Sequence, residues 1–137
     1  MSVADYLIDT SALARVLLGR TTADWDERIG AGLVAICDFT ELELLYSARS
    51  TADRERLRNA VHAHYAWCPI PDGIYRRARA VQELLTAKGE HRSAGPVDLL
   101  VSAVAEEAGL TLLHYDRDFT TIARATGQPE RMISLRD

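Results

Sequence analysis

The chain has 137 residues, of which 47% are hydrophobic and 26% charged, and its formal net charge is −4. This length and composition predict one globular domain over residues 1–137, and they exclude a low-complexity chain. No apolar run approaches the length of a membrane span, and the first residues lack the layout of a signal peptide. We therefore expect a cytoplasmic protein.

The acidic total argues against a general nucleic-acid binder, for which a basic total is the usual footprint. The arginines are nevertheless clustered, and a guanidinium suits phosphate. The two clusters are Arg49, Arg54, Arg56, Arg58 and Arg76, Arg77, Arg79. Each arginine taken alone is better explained by a solvated helix face. Cys37 and Cys68 have no metal-ligand spacing, which predicts small buried side chains in a reducing compartment.

The first half of the chain alternates apolar runs with helical patterns. Residues 3–8 predict a buried strand, and the apolar period then changes to that of a helix over residues 10–18, which Gly19 ends. A helix over residues 21–29 and a buried strand over residues 33–37 follow. Asp38 and Glu41 have the spacing of a capping box, which predicts a helix from Asp38 to Tyr46.

The second half continues the alternation. A helix over residues 51–65 precedes a weak strand at 66–70, which neighbouring prolines place at a sheet edge. Asp72 is expected to cap a helix that ends near residue 88, and Pro96 suits the first turn of a helix over 97–108. Residues 110–114 predict a strand, 119–125 a helix and 132–135 a last strand. Strands alternating with helices predict an α/β fold with a parallel sheet covered on both faces.

Acids follow two of the predicted strands. Asp9 follows the first strand and Asp116 the fourth. Both are expected at the carboxyl edge of the sheet, where such folds bind ligands. Asp9 or Thr10 would also serve as the cap of the helix that follows. The residues around Asp9 alone do not decide between these two roles.

Two further acids, Glu43 and Asp98, interrupt apolar runs in predicted helices. A buried charge is costly unless it is paired or bound to metal, although Asp98 would also stabilise the first turn of its helix. Carboxylates that converge on one crevice need cations, and hard oxygen ligands suit Mg²⁺ or Mn²⁺. No histidine or cysteine cluster competes for a softer metal. The pattern favours metal-assisted cleavage of a phosphodiester.

Four stretches carry these acids along the whole chain. They are Leu7-Ile8-Asp9-Thr10-Ser11-Ala12, Glu43-Leu44-Leu45-Tyr46, His91-Arg92-Ser93 leading to Pro96-Val97-Asp98-Leu99-Leu100, and His114-Tyr115-Asp116-Arg117-Asp118-Phe119. In this order they resemble the PIN-domain ribonucleases, and more narrowly the VapC toxins of bacterial toxin–antitoxin pairs. The resemblance implies a three-layer α/β/α fold with a mainly parallel central sheet. It also implies Mg²⁺- or Mn²⁺-dependent endonucleolytic cleavage of structured RNA, such as transfer or ribosomal RNA.

The resemblance further implies a homodimer and a cognate VapB-type antitoxin that covers the active site, in a heterotetramer or larger complex. Carried over by position, Asp9 and Asp98 look like the main metal ligands, and Glu43 and Asp116 like the assisting acids. The Glu-Leu-Leu-Tyr match, rather than periodicity, selects Glu43 over Glu41.

Other residues have supporting roles in this interpretation. Asp118 is the rival of Asp116 as fourth acid, and Thr10 or Ser11 is expected to support the carboxylates by hydrogen bonding. The candidates for RNA binding are Arg92, Arg117, Arg54 and Arg58.

Two alternatives stay open at this point. One is a catalytically inactive PIN-like module that binds RNA or protein, against which the presence of all four acids argues. The other is a phosphate-transferring enzyme with Asp9 as covalent nucleophile. Enzymes of the haloacid-dehalogenase type need a second aspartate two positions later, where this chain has Ser11.

Overall fold

The computed structural model describes residues 4–137, which contain seven helices and five strands. The helices are α1 (Thr10–Leu17), α2 (Ala23–Gly30), α3 (Asp38–Tyr46), α4 (Thr51–His64), α5 (Ile74–Ala87), α6 (Pro96–Ala108) and α7 (Arg117–Thr126). The strands are β1 (Tyr6–Ile8), β2 (Val34–Ile36), β3 (Ala66–Trp67), β4 (Thr111–His114) and β5 (Glu130–Met132). Val3, which the sequence assigns to the first strand, lies outside the described residues. No helix in residues 4–137 is long and apolar enough to cross a membrane.

The five strands form one parallel sheet in the order β3-β2-β1-β4-β5. Leu7 of β1 is opposite Ala35 of β2 on one side and Leu112 of β4 on the other. The chain therefore builds the sheet outward in two directions from the boundary between β1 and β4. Ligands of open α/β sheets bind in the crevice at such a switch point, beyond the carboxyl ends of the strands. The predicted parallel sheet and the edge position of β3 are confirmed.

The two faces of the sheet bury two apolar clusters. Leu7 and Leu112 pack with residues of α5, α6 and α7 on one face. Ile8 and Leu113 point to the other face and pack with residues of α1, α2, α3 and α4. Burying one such side chain contributes about 1.5–3 kcal/mol to folding. The result is a three-layer α/β/α fold, as expected.

The predicted capping box of α3 is wrong. The extended N-cap residue is Cys37, whose side chain makes no capping hydrogen bond, and Asp38 is already the first helical residue. Since β2 ends at Ile36, one extended residue after the strand is enough to start the helix. Glu41 is instead hydrogen-bonded to His62 on α4. Cys37 is buried and free, as expected for a reduced thiol.

Other boundaries also differ from the sequence prediction. Gly73, with φ of +86°, precedes α5 in place of the predicted cap Asp72. Helix α7 begins at Arg117, because Asp116 is its N-cap. The last strand ends at Met132, and Leu135 instead forms an isolated antiparallel bridge with Thr21.

Candidate active site

Asp9 lies at the carboxyl end of β1 and is also the N-cap of α1. Its Oδ2 accepts a hydrogen bond from the Ser11 N–H (3.1 Å) and its Oδ1 accepts one from the Ala12 N–H (3.1 Å). The side chain is only 4% exposed. Burial raises the pKa of the Asp9 carboxyl, and the hydrogen bonds from Ser11 and Ala12 offset only part of that increase. The capping role and the crevice position therefore belong to the same carboxylate.

Ser11 connects this carboxylate to β4. Its hydroxyl lies 2.8 and 2.9 Å from the two oxygens of Asp9 and donates to that carboxylate. The same hydroxyl oxygen accepts the backbone N–H of Tyr115, at 2.8 Å, across 104 positions of sequence. One small side chain thus holds the Asp9 carboxylate and the end of β4 at a fixed separation.

Asp116 occupies the equivalent place after β4, at the N-cap of α7. Its Oδ1 accepts the Asp118 N–H at 3.0 Å. Its own N–H donates to Nδ1 of His114 at 3.2 Å, and Nε2 of that fully buried histidine is 2.9 Å from Glu130 Oε1. Since Nδ1 accepts, the ring proton is assigned to Nε2. His114 is therefore a satisfied interior residue that fixes the backbone at Asp116.

Asp98 faces the other three acids from the first turn of α6. Its Oδ2 accepts the Gly95 N–H at 3.3 Å, which is the helix-stabilising role considered from the sequence. Burial, followed by the negative charges of Asp9, Glu43 and Asp116, raises the pKa of Asp98 to about 6. The four carboxylates thus share one electrostatic environment.

Glu43 reaches the site from α3. Its Oε1 accepts the hydroxyl proton of Thr10 at 2.7 Å, which connects α3 to the first residue of α1. The idea that Glu43 lies in a buried apolar run is wrong, because Glu43 is exposed and its neighbours Leu42 and Tyr46 are 63% and 93% exposed. Helix α3 places Leu44 and Leu45 in the core and leaves its other side in solvent.

The donor chemistry of this edge suits a hard divalent cation, because the side chains are carboxylates and hydroxyls and two of the acids have raised pKa values. The acids are not closed around one point, however. Within residues 4–137, no three histidine, cysteine or acidic side chains are grouped as metal ligands. Bringing the acids around one cation requires rotation of side chains whose negative charges repel each other.

The remaining sequence candidates are Asp118 and four arginines. Asp118 is half-buried, and burial together with the charge of Asp116 raises its pKa. Arg117, Arg92, Arg54 and Arg58 are all exposed; the first begins α7, the second lies in the loop before α6, and the other two lie on α4.

One residue that the sequence did not single out lies beside the site. The guanidinium of Arg15, in the last turn of α1, is 4.7 Å from the ring centroid of Tyr115. No local pattern marks Arg15, because its partner is 100 positions away; only a correct β1–β4 pairing would reveal it.

The sequence model of the PIN domain matches residues 6–125 of this chain. The chain belongs to the PIN-domain family. Within it, the chain is 40% identical over 124 residues to Ribonuclease VapC21 of Mycobacterium tuberculosis (strain ATCC 25618 / H37Rv), covering 90% of each protein. It is also 40% identical over 136 residues to Ribonuclease VapC2 of M. tuberculosis (strain CDC 1551 / Oshkosh), covering 96% of this chain and 94% of that one. The chain is thus a VapC-family PIN domain.

Solved structures share the PIN fold at low sequence identity. VapBC2 from Rickettsia felis, bound to a DNA fragment from its promoter, has a TM-score of 0.76 and 14% identity, with 93% of this chain and 97% of that chain covered. VapBC-5 from M. tuberculosis has a TM-score of 0.65 and 21% identity, with 95% and 98% covered. These likenesses extend the PIN fold over nearly the whole chain.

Proposed function

We propose that this protein is the toxin of a type II toxin–antitoxin pair and acts as a metal-dependent endoribonuclease. The observation that supports the proposal most strongly is that Asp9, Glu43 and Asp116 lie near enough to Asp98 to influence it electrostatically. The four acids come from the β1–α1 junction, α3, α6 and the β4–α7 junction, yet the charges of the other three all raise the pKa of Asp98. The names of the relatives, Ribonuclease VapC21 and Ribonuclease VapC2, support the same activity.

In this proposal Asp9 and Asp98 hold Mg²⁺ or Mn²⁺, and Glu43 and Asp116 assist, with Asp118 as the rival of Asp116. A bound cation of this kind activates the attacking water and stabilises the charge that develops on the phosphate. The preference for Asp116 over Asp118 is supported by the electrostatic effect of Asp116 on Asp98.

The hydroxyl groups orient the carboxylates. Ser11 restrains both oxygens of Asp9, so this ligand needs no reorganisation when a cation arrives. Thr10 holds Oε1 of Glu43 toward the N-terminal end of α1, which leaves Oε2 available to a water or a cation. Ionised Asp98 is the form that binds a cation, so protons compete with the cation as the pH falls below the Asp98 pKa of about 6.

The partners follow from the structural relatives. The VapBC proteins from Rickettsia felis and Salmonella typhimurium are toxin–antitoxin complexes bound to DNA. By analogy, this chain forms a homodimer that a VapB-type antitoxin binds, giving a heterotetramer or larger complex in the cytoplasm. The substrate class in this proposal is structured RNA of the transfer or ribosomal type, which proteins recognise by shape and exposed loops.

The decisive experiment is cleavage of total RNA by purified protein with Mg²⁺ or Mn²⁺. The parent is compared with Asp9→Asn and with Asp5→Asn, which changes an exposed aspartate at the opposite end of the same strand. We expect discrete fragments from the parent and from Asp5→Asn, and none from Asp9→Asn or after EDTA addition. Mapping the fragment ends then identifies the RNA.

Two results would refute the proposal. Equal cleavage by the parent and Asp9→Asn would mean that the acids are not the active site. Binding of RNA by a folded parent that cuts no RNA with either metal would favour the non-cutting PIN-like binding module.

A further inference from the structure

Two arginines occupy equivalent places on α1 and α2. Arg15 and Arg28 each lie in the last turn of their helix, where a cation suits the helix dipole. Each guanidinium lies over an aromatic ring, at 4.7 Å from the centroid of Tyr115 and 4.4 Å from that of Trp25. The two side chains are thus fixed by the same kind of cation–π contact.

The two arginines differ in what stands four residues earlier. For Arg28 this is Asp24, whose carboxylate lies 2.8 Å from Nη1 of the arginine. For Arg15 it is Ser11, whose backbone carbonyl accepts from Nη1 at 3.0 Å. In residues 4–137 no carboxylate forms an ion pair with Arg15. Its charge is held in place but not neutralised, and most of its five N–H donors have no protein acceptor.

Arg15 also lies next to the acidic site, where a positively charged side chain would help to bind RNA. It contacts Ser11, whose hydroxyl binds Asp9, and Tyr115, which directly precedes Asp116. An RNA strand that approaches four carboxylates is repelled unless positive groups hold its neighbouring phosphates. A planar guanidinium fixed on a tyrosine suits a phosphate, because its fork of donors matches two phosphate oxygens.

We propose that Arg15, held over the ring of Tyr115, is a phosphate-binding subsite for the RNA strand next to the acidic site. The subsite deepens the proposed ribonuclease function and rests on RNA being the substrate. Arg28 has the same packing but a neutralised charge, and it stacks on Trp25, which contacts Tyr6 at the far end of β1 from Asp9. Arg28 is therefore a matched control.

The test measures binding of a fluorescently labelled pool of total transfer RNA by anisotropy, in EDTA so that no cleavage occurs, between about 50 and 200 mM salt. The variants are Arg15→Met, Arg15→Lys, Tyr115→Leu and Arg28→Met. We expect Arg15→Met to bind about tenfold more weakly, with a salt slope smaller by about 0.7–0.9. Arg15→Lys keeps the parent's salt slope with reduced affinity, and Arg28→Met matches the parent.

The proposal is overturned if Arg15→Met binds like the parent, if Arg28→Met loses as much affinity, or if the folded parent binds no transfer RNA. If Arg15→Met does not fold, Arg15→Lys and Tyr115→Leu decide. Reduced affinity in both then supports the subsite, and parent-like affinity in either overturns it. A parent that cuts no RNA, together with weakened binding by Arg15→Met, refutes the nuclease while keeping the subsite.

Discussion

The β1–α1 and β4–α7 junctions use the same sequence solution, an aspartate between a parallel strand and a helix, with different results. Asp9 is buried, and both of its oxygens accept hydrogen bonds from the first turn of α1. Asp116 is half-buried, and within residues 4–137 only its Oδ1 accepts a hydrogen bond, from the Asp118 N–H. The Asp9 carboxylate is fixed through both oxygens. The Asp116 carboxylate is held through one oxygen and can still change its orientation.

The difference indicates that Asp9 and Asp116 have different roles in the site. Burial outweighs the helix N–H groups at Asp9, so its pKa is raised even though those groups stabilise the charge. A fixed and poorly solvated carboxylate is prepared for a cation. Asp116 has a less restrained side chain, which suits a ligand that adjusts. Asp98 faces both junctions and is affected by the charge of each.

The largest expected effect is that of Asp98→Asn, which removes the negative charge that interacts with the aspartates of both junctions. Cleavage should fall at least a hundredfold, because a main cation ligand is lost. The free energy of unfolding at pH 7.5 should rise by about 1–2 kcal/mol, after allowance for partial exposure. The reason is that the substitution removes a carboxylate whose ionisation the folded state disfavours, as its raised pKa indicates. The Asn amide oxygen still accepts the Gly95 N–H. Thermal melts and RNA cleavage rates measure the two effects.

The two expected effects of Asp98→Asn have opposite signs, because stability rises while cleavage activity falls. Asp24→Asn is the control, because the pKa of that exposed carboxyl is lowered by the Thr22 hydroxyl and by Arg28. It should leave cleavage unchanged and should not stabilise the protein. A loss of stability in Asp98→Asn would contradict the electrostatic account of the site.

Ser11→Ala should have the next largest effect, because it breaks the connection between the junctions. It removes the donor to Asp9 and leaves the Tyr115 N–H without its acceptor. We expect a loss of about 1–3 kcal/mol in the free energy of unfolding and of about 10–100-fold in cation affinity or cleavage. Urea denaturation and Mn²⁺ titration provide the measurements.

Ser47→Ala is a control for the hydroxyl deletion. Its hydroxyl donates to the Leu44 carbonyl near the end of α3. If Ser11→Ala were as mild as Ser47→Ala, the bridge between β1 and β4 would not be important for the site.

The placement of Asp9 and Asp116 was predictable because it depends on short-range patterns. An apolar run that ends in an acid defines each strand end, and parallel pairing brings both ends to one edge. The exposure of Glu43 was not predictable from the same signals. Its helix has apolar residues on several sides, and only the tertiary packing of α3 decides that Leu44 and Leu45 are buried while Leu42 is not.

Caps and long-range contacts were harder still. Asp38 has the spacing of a capping box, but the strand end at Ile36 decides which residue stays extended, and that residue is Cys37. The contact between Arg15 and Tyr115 joins two distant segments, so no window of sequence contains it.

The pH dependence should report Asp98. Its folded pKa, about 6, is above the value of 3.8 for a free aspartate, so the folded state binds more protons between these values. Its contribution to stability is therefore present below about pH 4 and is lost as the pH rises through about 6. Mn²⁺ affinity should change in the opposite sense and be about tenfold weaker at pH 5 than at pH 7. Isothermal titration of the parent and Asp98→Asn tests this; the same pH dependence in both would exclude Asp98 as its source.

Thr10→Val should have the smallest effect and tests whether Glu43 needs its partner. The change keeps the shape of the side chain but removes the hydroxyl that donates to Glu43 Oε1. Because Glu43 is exposed, water replaces the lost donor, and the free energy of unfolding should change by less than about 0.5 kcal/mol. Cleavage should fall only a few-fold, because Glu43 then samples several rotamers instead of one. A kinetic comparison with Glu43→Gln, which removes the charge but keeps an oxygen that accepts from Thr10, separates orientation from charge. If Glu43→Gln loses no more activity than Thr10→Val, the charge of Glu43 contributes no more to cleavage than its orientation does.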